Sequence, residues 1–530
     1  VRAVRAPGAN PPWRRPESPQ RMLSELFRRF FRRAETAVPH SDDALTVAAR
    51  RLEAGDFAAA ARGALRLIDQ QPGNPYAHIV LARAQVGSGD LQAARDALDK
   101  ALEADATLDL LWAERAELER RTGRAEAAIA IYRRGLAQHA GSVALSGNLG
   151  GLLGEEGRLD EAVATLTEAA NLNPDSAAIQ FSLGRALTAR GDLAEAERRL
   201  RRAIALEPDK RSRRFWLAHV LLMQGRLAEG WAEYESRLEA PGFTWGVAGL
   251  PRWDGADPRG KRLRVIAEQG LGDSIMFARF ITRLLERGAR VQFLCRGNMV
   301  RLFQASFDPA EVEVTADPDA EAAGVDAHVH LMSLPHLLKV PREALRTHGP
   351  YLRIPAELAA EWRARVMQSP GGSGAALEVG LMWSGNPDRS RDENRSLPIE
   401  VAQRLGEAAG PIAWFNLQVD TERSRSTGQP FSMVDLTSGM RDYADSMGLI
   451  AAMDLVISVD TSTAHATAAL GKPLWLIAPH DVCWRWVIAG EESPWYDGVR
   501  IFRAARPRDW APVVARLARE LAGIAARKAL

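Results

Sequence analysis

The stretch RVIAEQGLGDSIMFARF, residues 264–280, decides how the second half of this 530-residue chain is read. An apolar, strand-like run ends in two glycines two apart, and an acid, a serine and a helix-like sequence follow at once. Such a turn brings backbone close to a ligand. Around it, RLRVIAEQ reads as a buried strand, GLGDS as a tight turn, IMFARFITRLLERG as a helix and ARVQFLC as the next strand. That β-α-β order predicts a parallel, doubly wound sheet whose ligands gather at the C-terminal ends of its strands. A second alternating region begins near LEVGLMWSGNP and continues through IAWFNLQ, DLVISVD, STAHATAALG and KPLWLIAP. Two lobes facing a cleft are therefore expected.

Upstream of that stretch the period is different. Gly55, Gly89, Gly123, Gly157, Gly191 and Gly225 follow one another at intervals of 34. Five residues after each stands a small residue, namely Ala60, Ala94, Ala128, Ala162, Ala196 and Gly230. Ala82, Ala116, Gly150, Gly184 and Ala218 precede the turns, where two helices must approach closely, and Pro72, Pro174 and Pro208 end second helices. This pattern resembles the tetratricopeptide repeat, whose helix pairs stack into a solenoid because none can bury its apolar face alone. Such surfaces most often bind another polypeptide; a spacer or dimerisation arm is the alternative. The sixth residues of successive units, Thr46, Val80, Glu114, Asn148, Ser182 and Trp216, form no asparagine ladder of the kind that holds peptide backbone in protein O-GlcNAc transferases.

Composition bounds the rest. A chain of this length needs two or three domains, and 46% hydrophobic with 26% charged residues is that of a soluble globular protein. A net charge of +2 argues against a dedicated nucleic-acid binder. Cys295 and Cys483 provide neither a disulfide framework nor a cysteine zinc site, which suits a reducing, cytoplasmic setting. No apolar run approaches the roughly 20 residues that span a bilayer. VRAVRAPGANPPWRRPESPQR lacks the apolar core of a signal peptide and reads as a disordered arm, or as sequence upstream of a start at Met22. The following MLSELFRRFFRR reads as a terminal basic amphipathic helix, with weak contact to an anionic membrane surface as the alternative.

Common motifs are absent. After G-x-G no third glycine follows, and the next strand ends in Cys295 and Arg296 rather than the acid that binds a ribose, so a dinucleotide fingerprint is not made. No G-x-x-x-x-G-K-[ST] occurs, and no G-x-S-x-G surrounds Ser384. His328, His330 and His336 fit no common zinc spacing and read as hydrogen-bonding histidines.

GLGDSIMFARF, GLMWSGNPDRSRDENRSLP, DLVISVDTSTAHATAALGKPLWLIAP and WRWVIAGEESPWY together resemble bacterial tetratricopeptide-repeat glycosyltransferases. Their catalytic domain is similar to the heptosyltransferases and distantly to the protein O-GlcNAc transferases. The resemblance implies an α-solenoid followed by an α/β GT-B domain of two Rossmann-like lobes. It divides the chain into an N-terminal arm (1–40), the repeat solenoid (41–240), a connector (241–261), an N-terminal lobe (262–355) and a nucleotide-sugar-binding C-terminal lobe (356–530). It also implies a metal-independent, inverting transfer without a cofactor, in which preorganised donors meet the charge of the leaving diphosphate.

By resemblance, Thr461, Ser462 and His465 contact the diphosphate and Asp460 the donor sugar; helix capping is the structural alternative for all but His465. Ser384, Gly385 and Asn386 form a second polar turn. Arg395 is the cation chosen to face the diphosphate, where heptosyltransferases place a lysine, with Arg389 and Arg391 as competitors. Gln418 is a nucleoside contact by position. Asp273 matches the proposed general base of the heptosyltransferase turn, with Gly270 and Gly272 allowing close approach; a first-turn helix acid is the alternative. Trp484, Trp486 and Trp495 are cleft walls or core.

The expected function is transfer of a sugar from a nucleotide-sugar to an acceptor hydroxyl, on a protein recruited by the repeats. A saccharide or lipid-linked glycan acceptor is one alternative, and a non-catalytic repeat scaffold with a nucleotide-binding domain is another.

Overall fold

Each of the six repeat glycines ends a helix at a backbone angle that side chains resist: φ lies between 74° and 95° at Gly55, Gly89, Gly123, Gly157, Gly191 and Gly225. In the computed structural model, which describes residues 42–239, 249–320, 323–369, 377–385, 392–408, 410–419, 428–481, 483–486 and 490–529, the next amide reaches back five residues. Asp56 N–H donates to Arg51 O, Arg124 to Glu119 O, Asp192 to Leu187 O and Arg226 to Leu221 O, each at 2.9 Å. This is a Schellman closure, and it needs a left-handed residue at its centre.

Twelve helices result among the described residues of this region. They pair as α1 (Asp42–Glu53) with α2 (Phe57–Gln70), α3 (Pro75–Gly87) with α4 (Leu91–Ala104), α5 (Asp109–Arg121) with α6 (Ala125–Gln138), α7 (Val143–Glu155) with α8 (Leu159–Leu172), α9 (Ala177–Arg190) with α10 (Leu193–Leu206), and α11 (Arg211–Met223) with α12 (Leu227–Tyr234). Asp56 and Asp90 cap α2 and α4 by accepting from Ala59 N and Ala93 N at 3.0 Å. Ala60, Ala94, Ala128, Ala162 and Ala196 are fully buried. A methyl group on Gly150 would come within 2.5 Å of Leu166, and one on Gly184 within 2.8 Å of Leu200, so the small residues before the turns do mark close helix contacts.

The same repeat position closes the loop before a helix pair with whatever donor it holds. His78 bonds Pro72 O at 2.9 Å, Trp112 donates to Ala106 O at 3.1 Å and Gln180 to Pro174 O at 3.1 Å. Buried Glu119 is gripped by Arg95, Arg115 and Arg124, which hold its carboxyl below the usual range although burial works the other way.

The chain divides into two compact units at Arg213/Arg214, inside α11. The second unit thus begins with most of the last helix pair and continues into two parallel sheets. The first has the order β3-β2-β1-β4, from β1 (Arg262–Ile266), β2 (Arg290–Leu294), β3 (Val312–Thr315) and β4 (Ala327–His330). α13 (Leu271–Glu286) joins β1 to β2, and α14 (Val300–Ser306) leads to β3. The second sheet has the order β6-β5-β7-β8-β9, from β5 (Leu377–Met382), β6 (Ile412–Asn416), β7 (Leu455–Val459), β8 (Leu474–Ala478) and β9 (Val499–Arg503). Around it lie α15 (Ala356–Gln368), α16 (Tyr443–Ala452), α17 (Ser462–Ala469) between β7 and β8, and α18 (Ala511–Ala529).

One apolar core runs from Trp231 and Tyr234 of α12 through the first sheet to α16 and α17. A separate core packs α18 on the far face of the second sheet, around Val379, Trp510, Val514 and Leu517. Trp231 meets Trp484 edge-on at 5.1 Å and Phe277 at 5.8 Å, so the last repeat is built into this unit. Arg301 of α14 ties the lobes by pairing with Asp442 at 2.7 Å and Asp445 at 2.8 Å beside α16.

Both strand orders reverse direction once, at β1/β4 and at β5/β7, and such switch points are where open α/β sheets hold ligands. The first is filled by protein. Glu268, after β1, accepts from Met332 N at 3.2 Å and from the buried Arg237 at 2.8 Å, while Arg237 also donates to Ser333 Oγ at 2.8 Å. His328 bonds Leu250 O at 2.9 Å, and among the described residues no group of three His, Cys, Asp or Glu is placed to hold a metal. No described helix is long and apolar enough to cross a membrane. The expected basic helix in 22–33, the start at Met22 and the first part of the connector (241–248) lie outside the described residues.

Alanine at Gly123 or Gly191 is expected to cost about 1–2 kcal/mol in urea denaturation, because an L-residue must then hold the left-handed angle. Gly151→Ala, in α7 where a methyl meets nothing within 4 Å, is expected to be neutral or mildly stabilising.

Candidate functional site

The second switch point is built differently from the first. Met382 pairs with Ser458, so Trp383, Ser384 and Gly385 leave β5 beside Val459, Asp460 and Thr461 leaving β7. On the other side Leu381 pairs with Asn416, which brings Gln418 to the same edge. Gln418 Oε1 accepts from Ser384 N at 3.2 Å, and Asn416, itself anchored to Asp435 at 2.8 Å, fixes the Gln418 amide at 2.8 Å. Gln418 therefore braces the Ser384 turn.

Arg395 lies over Gly385. Ser396 Oγ accepts from Gly385 N at 2.8 Å and donates to Asp392 Oδ2 at 2.8 Å, and Arg395 Nε donates to Asp392 Oδ1 at 2.9 Å. A methyl on Gly385 would meet the Asp392 carboxylate and, at 2.6 Å, the Arg395 guanidinium, so glycine lets this pair lie close over the turn. The Arg395 side chain is 19% exposed. Asn386, Arg389 and Arg391 lie outside the described residues.

β7 delivers the start of α17. Thr461 is its N-cap in extended backbone, and the cap makes no side-chain hydrogen bond to the first turn. The Thr461 hydroxyl instead meets Ser458 Oγ at 3.1 Å. Thr461 thus leaves the amides of this turn without a capping side chain, an arrangement suited to phosphate. Tyr443 sits beneath, where burial pushes its phenol up to about 12 despite bonds to the Ser462 and Thr463 hydroxyls. Asp460 accepts from Trp486 Nε1 at 2.8 Å, and the Trp486 ring stacks on His465 at 4.8 Å and 20°.

The start of α13 meets the start of α17. A methyl on Gly272 would stand 3.0 Å from His465 Cδ2 and 3.3 Å from Ser462 Cα, so Gly272 is the residue that lets these two helix ends approach. Asp273 follows it and has two partners. Its Oδ2 accepts from Gly270 N at 3.0 Å, which starts the helix, and its Oδ1 pairs with Arg485 at 2.5 Å. The first-turn role weighed for this acid is real, and an ion pair is added to it. Gln269, at φ 67° just before, is held by Tyr234 and by Arg296, which donates to the Gln269 carbonyl at 2.6 Å.

Trp484, Trp486 and Trp495 are all buried. Two of them are core and the third also orients Asp460. WRWV stands out in the sequence for its rings, and nothing in the sequence singles out Arg485, the charge between two of them. Nor does it single out Tyr496, whose hydroxyl lies 2.8 Å from His465 Nδ1, or Arg279, stacked on Tyr496 at 4.3 Å and Tyr351 at 4.5 Å.

Comparison with known proteins bears on the first unit above all. Residues 120–187, and residues 48–109 and 181–242, match tetratricopeptide-repeat families, so the solenoid is made of such repeats. The chain is 28% identical to Protein FlbA of Caulobacter vibrioides (strain ATCC 19089 / CIP 103742 / CB 15) over 333 residues, 56% of this chain and 52% of that protein. It therefore spans about half the length of the curated relative it matches. Among solved structures, MamA is 20% identical over 31% of this chain and 97% of its own, with a TM-score of 0.27. The C-terminal part of a repeat-containing protein from Cytophaga hutchinsonii is 15% identical over 37% of this chain and 78% of its own, at 0.31.

Replacing Asp273 by Ala is expected to destabilise the protein by about 3–5 kcal/mol in urea denaturation, since it strands a buried guanidinium. Replacing Asp273 and Arg485 together by Ala and Met should recover part of that loss. Burial pulls His465 down to about 4, with Arg485 and Arg279 adding to it and Asp460 and Asp273 opposing. Between about pH 4 and the ordinary value near 6.5 the unfolded chain binds a proton that the folded one refuses. Stability should therefore fall on acidification through that window, by up to about 1.4 kcal/mol per pH unit from this group. His465→Gln should flatten the profile, as read from unfolding midpoints at pH 7, 6 and 5.

Proposed function

We propose that the second unit is a glycosyltransferase of the GT-B type, taking a sugar from a nucleotide-sugar and passing it to an acceptor hydroxyl. The observation that carries this reading is the meeting of the α13 and α17 N-termini across Gly272, beside the β5/β7 switch point. The start of α17, His465 and Arg395 would meet the charge growing on the leaving diphosphate. Ser384, Thr461, Ser462 and Gln418 line the same edge, and Asp460 is held toward it by Trp486. Asp273, one helix turn from Gly270, would accept the acceptor's proton as the new glycosidic bond forms and the bond to the nucleoside diphosphate breaks. The repeats, an array that recruits polypeptides in other proteins, make a protein the favoured acceptor.

One observation favours a second reading. Both Asp273 oxygens are engaged, one by a backbone amide and one by Arg485, which suits a scaffold that binds a nucleotide-sugar without turnover.

A thermal-shift screen with UDP, GDP, ADP, CMP and their sugar conjugates tests both readings, because a ligand that binds only the native state raises its midpoint. A selective shift is expected, and none with any of them would defeat both readings. Asp273→Asn keeps the side-chain shape but can accept only one of the two bonds and leaves Arg485 without its counter-charge, so it should lose stability; at a temperature where it stays folded it should retain the nucleotide shift and lose at least about 100-fold in donor turnover. Equal turnover by wild type and variant would reject Asp273 as base, and no turnover by wild type would favour the scaffold.

The recruitment claim needs a cut that respects the units. Removing residues up to 206 leaves Trp231, Tyr234 and Arg237 in the core, whereas a cut at 240 takes them away. The shorter deletion should leave donor hydrolysis intact and abolish modification of protein acceptors.

A further inference from the structure

Behind His465 stands a chain of buried groups that the transfer chemistry above does not use. Tyr496 is 1% exposed, and its hydroxyl lies 2.8 Å from His465 Nδ1. Tyr351, stacked near it at 6.5 Å, has its own proton committed to Ile275 O at 3.0 Å and accepts from Arg279 Nη2 at 3.1 Å. Arg279 is buried with no carboxylate partner among its bonds, which run to the carbonyls of Met276, Leu345 and Trp495 and to Tyr351. It lies against the Tyr496 ring at 4.3 Å. A buried phenol O–H must find an acceptor, and a guanidinium beside the oxygen strengthens the phenol as a donor. Two acceptors stand beside that of Tyr496, the Tyr351 oxygen and His465 Nδ1 at 2.8 Å; the Tyr351 oxygen already accepts from Arg279, which makes His465 Nδ1 the better one.

We infer that Tyr496 is a positioning residue that holds His465 as the Nε2–H tautomer, a neutral hydrogen-bond donor at the Gly272 approach, suited to an anionic phosphoryl oxygen. The Cδ2 edge of the ring, next to Nε2, is the one that faces Gly272. Trp486 covers one ring face and fixes its plane. The charged groups around the ring are Asp460 before α17, Asp273 and Arg279 on α13, and Arg485 after β8; burial outweighs the two acids and keeps the imidazole uncharged at neutral pH. A neutral donor sheds no proton on binding a phosphate and needs none back, so the histidine would act as an electrostatic clamp rather than a proton shuttle. The phosphate part of this inference rests on the proposed transferase reading; the tautomer does not.

The full chain labelled with 15N-histidine tests it, with the His465 ring signals assigned by their loss in His465→Gln. Wild type should show the Nε2–H pattern, unchanged from pH 8 to pH 5.5. A Nδ1–H pattern, or titration within that range, would overturn the inference. Tyr496→Phe should move the signals toward mixed tautomers, with its thermal midpoint recorded alongside; retention of the wild-type pattern by a folded Tyr496→Phe would also overturn it. Should that variant not fold, the wild-type spectrum still decides. Whichever of UDP, GDP, ADP or CMP shifts the wild-type midpoint should bind Tyr496→Phe about tenfold more weakly. If none of the four binds wild type, the transferase reading fails by itself while the spectrum still decides the tautomer.

Discussion

The buried pair between Asp273 and Arg485 is the interaction around which the second unit is organised. Its members are 212 residues apart, one on the first turn of α13 under the first sheet and the other after β8 of the second. Two charges withdrawn from water hold each other only at close range and in good geometry. The pair therefore sets how closely the two helix starts approach, and with them Gly272, Ser462 and His465. Arg301 with Asp442 and Asp445 repeats the device farther from the site. Between these two clamps the lobes share a continuous apolar core.

The helical half was legible because its determinant is local. A glycine every 34 residues is a backbone requirement, met at six left-handed turns, and small residues five positions later are fully buried as the pattern demands. The parallel sheets were legible for the same reason, since GLGDS and SVDTST announce a strand ending in a helix start. What could not be read was partnership. Nothing in the spacing says that Arg485 belongs with Asp273, that Tyr496 belongs with His465, or that Arg237 enters the first sheet's crevice. Those pairings depend on segments brought together by the topology, and they bear on whether Asp273 is free to accept a proton.

The two sheets look alike in outline and differ in use. At the first switch point the carboxylate of Glu268 is answered by Arg237, by the Met332 amide and, through Arg237, by Ser333. Desolvation still dominates for Glu268, whose carboxyl is pushed up from its ordinary value. At the second, Thr461, the Ser384 amide and Arg395 are braced by Ser458, Gln418 and Asp392. Protein fills the crevice of one sheet and supports the rim of the other.

That asymmetry gives the last helix pair a status unlike the five before it. Among the described residues the earlier repeats pack on the helix pairs beside them, so a repeat gained or lost there disturbs its immediate neighbours first. The pair carrying Trp231 and followed by Arg237 is keyed to one crevice and one aromatic cluster. Gains and losses of repeats should accordingly be confined to the stretch before Arg213, with this final unit inherited as part of the α/β half and diverging at that half's pace.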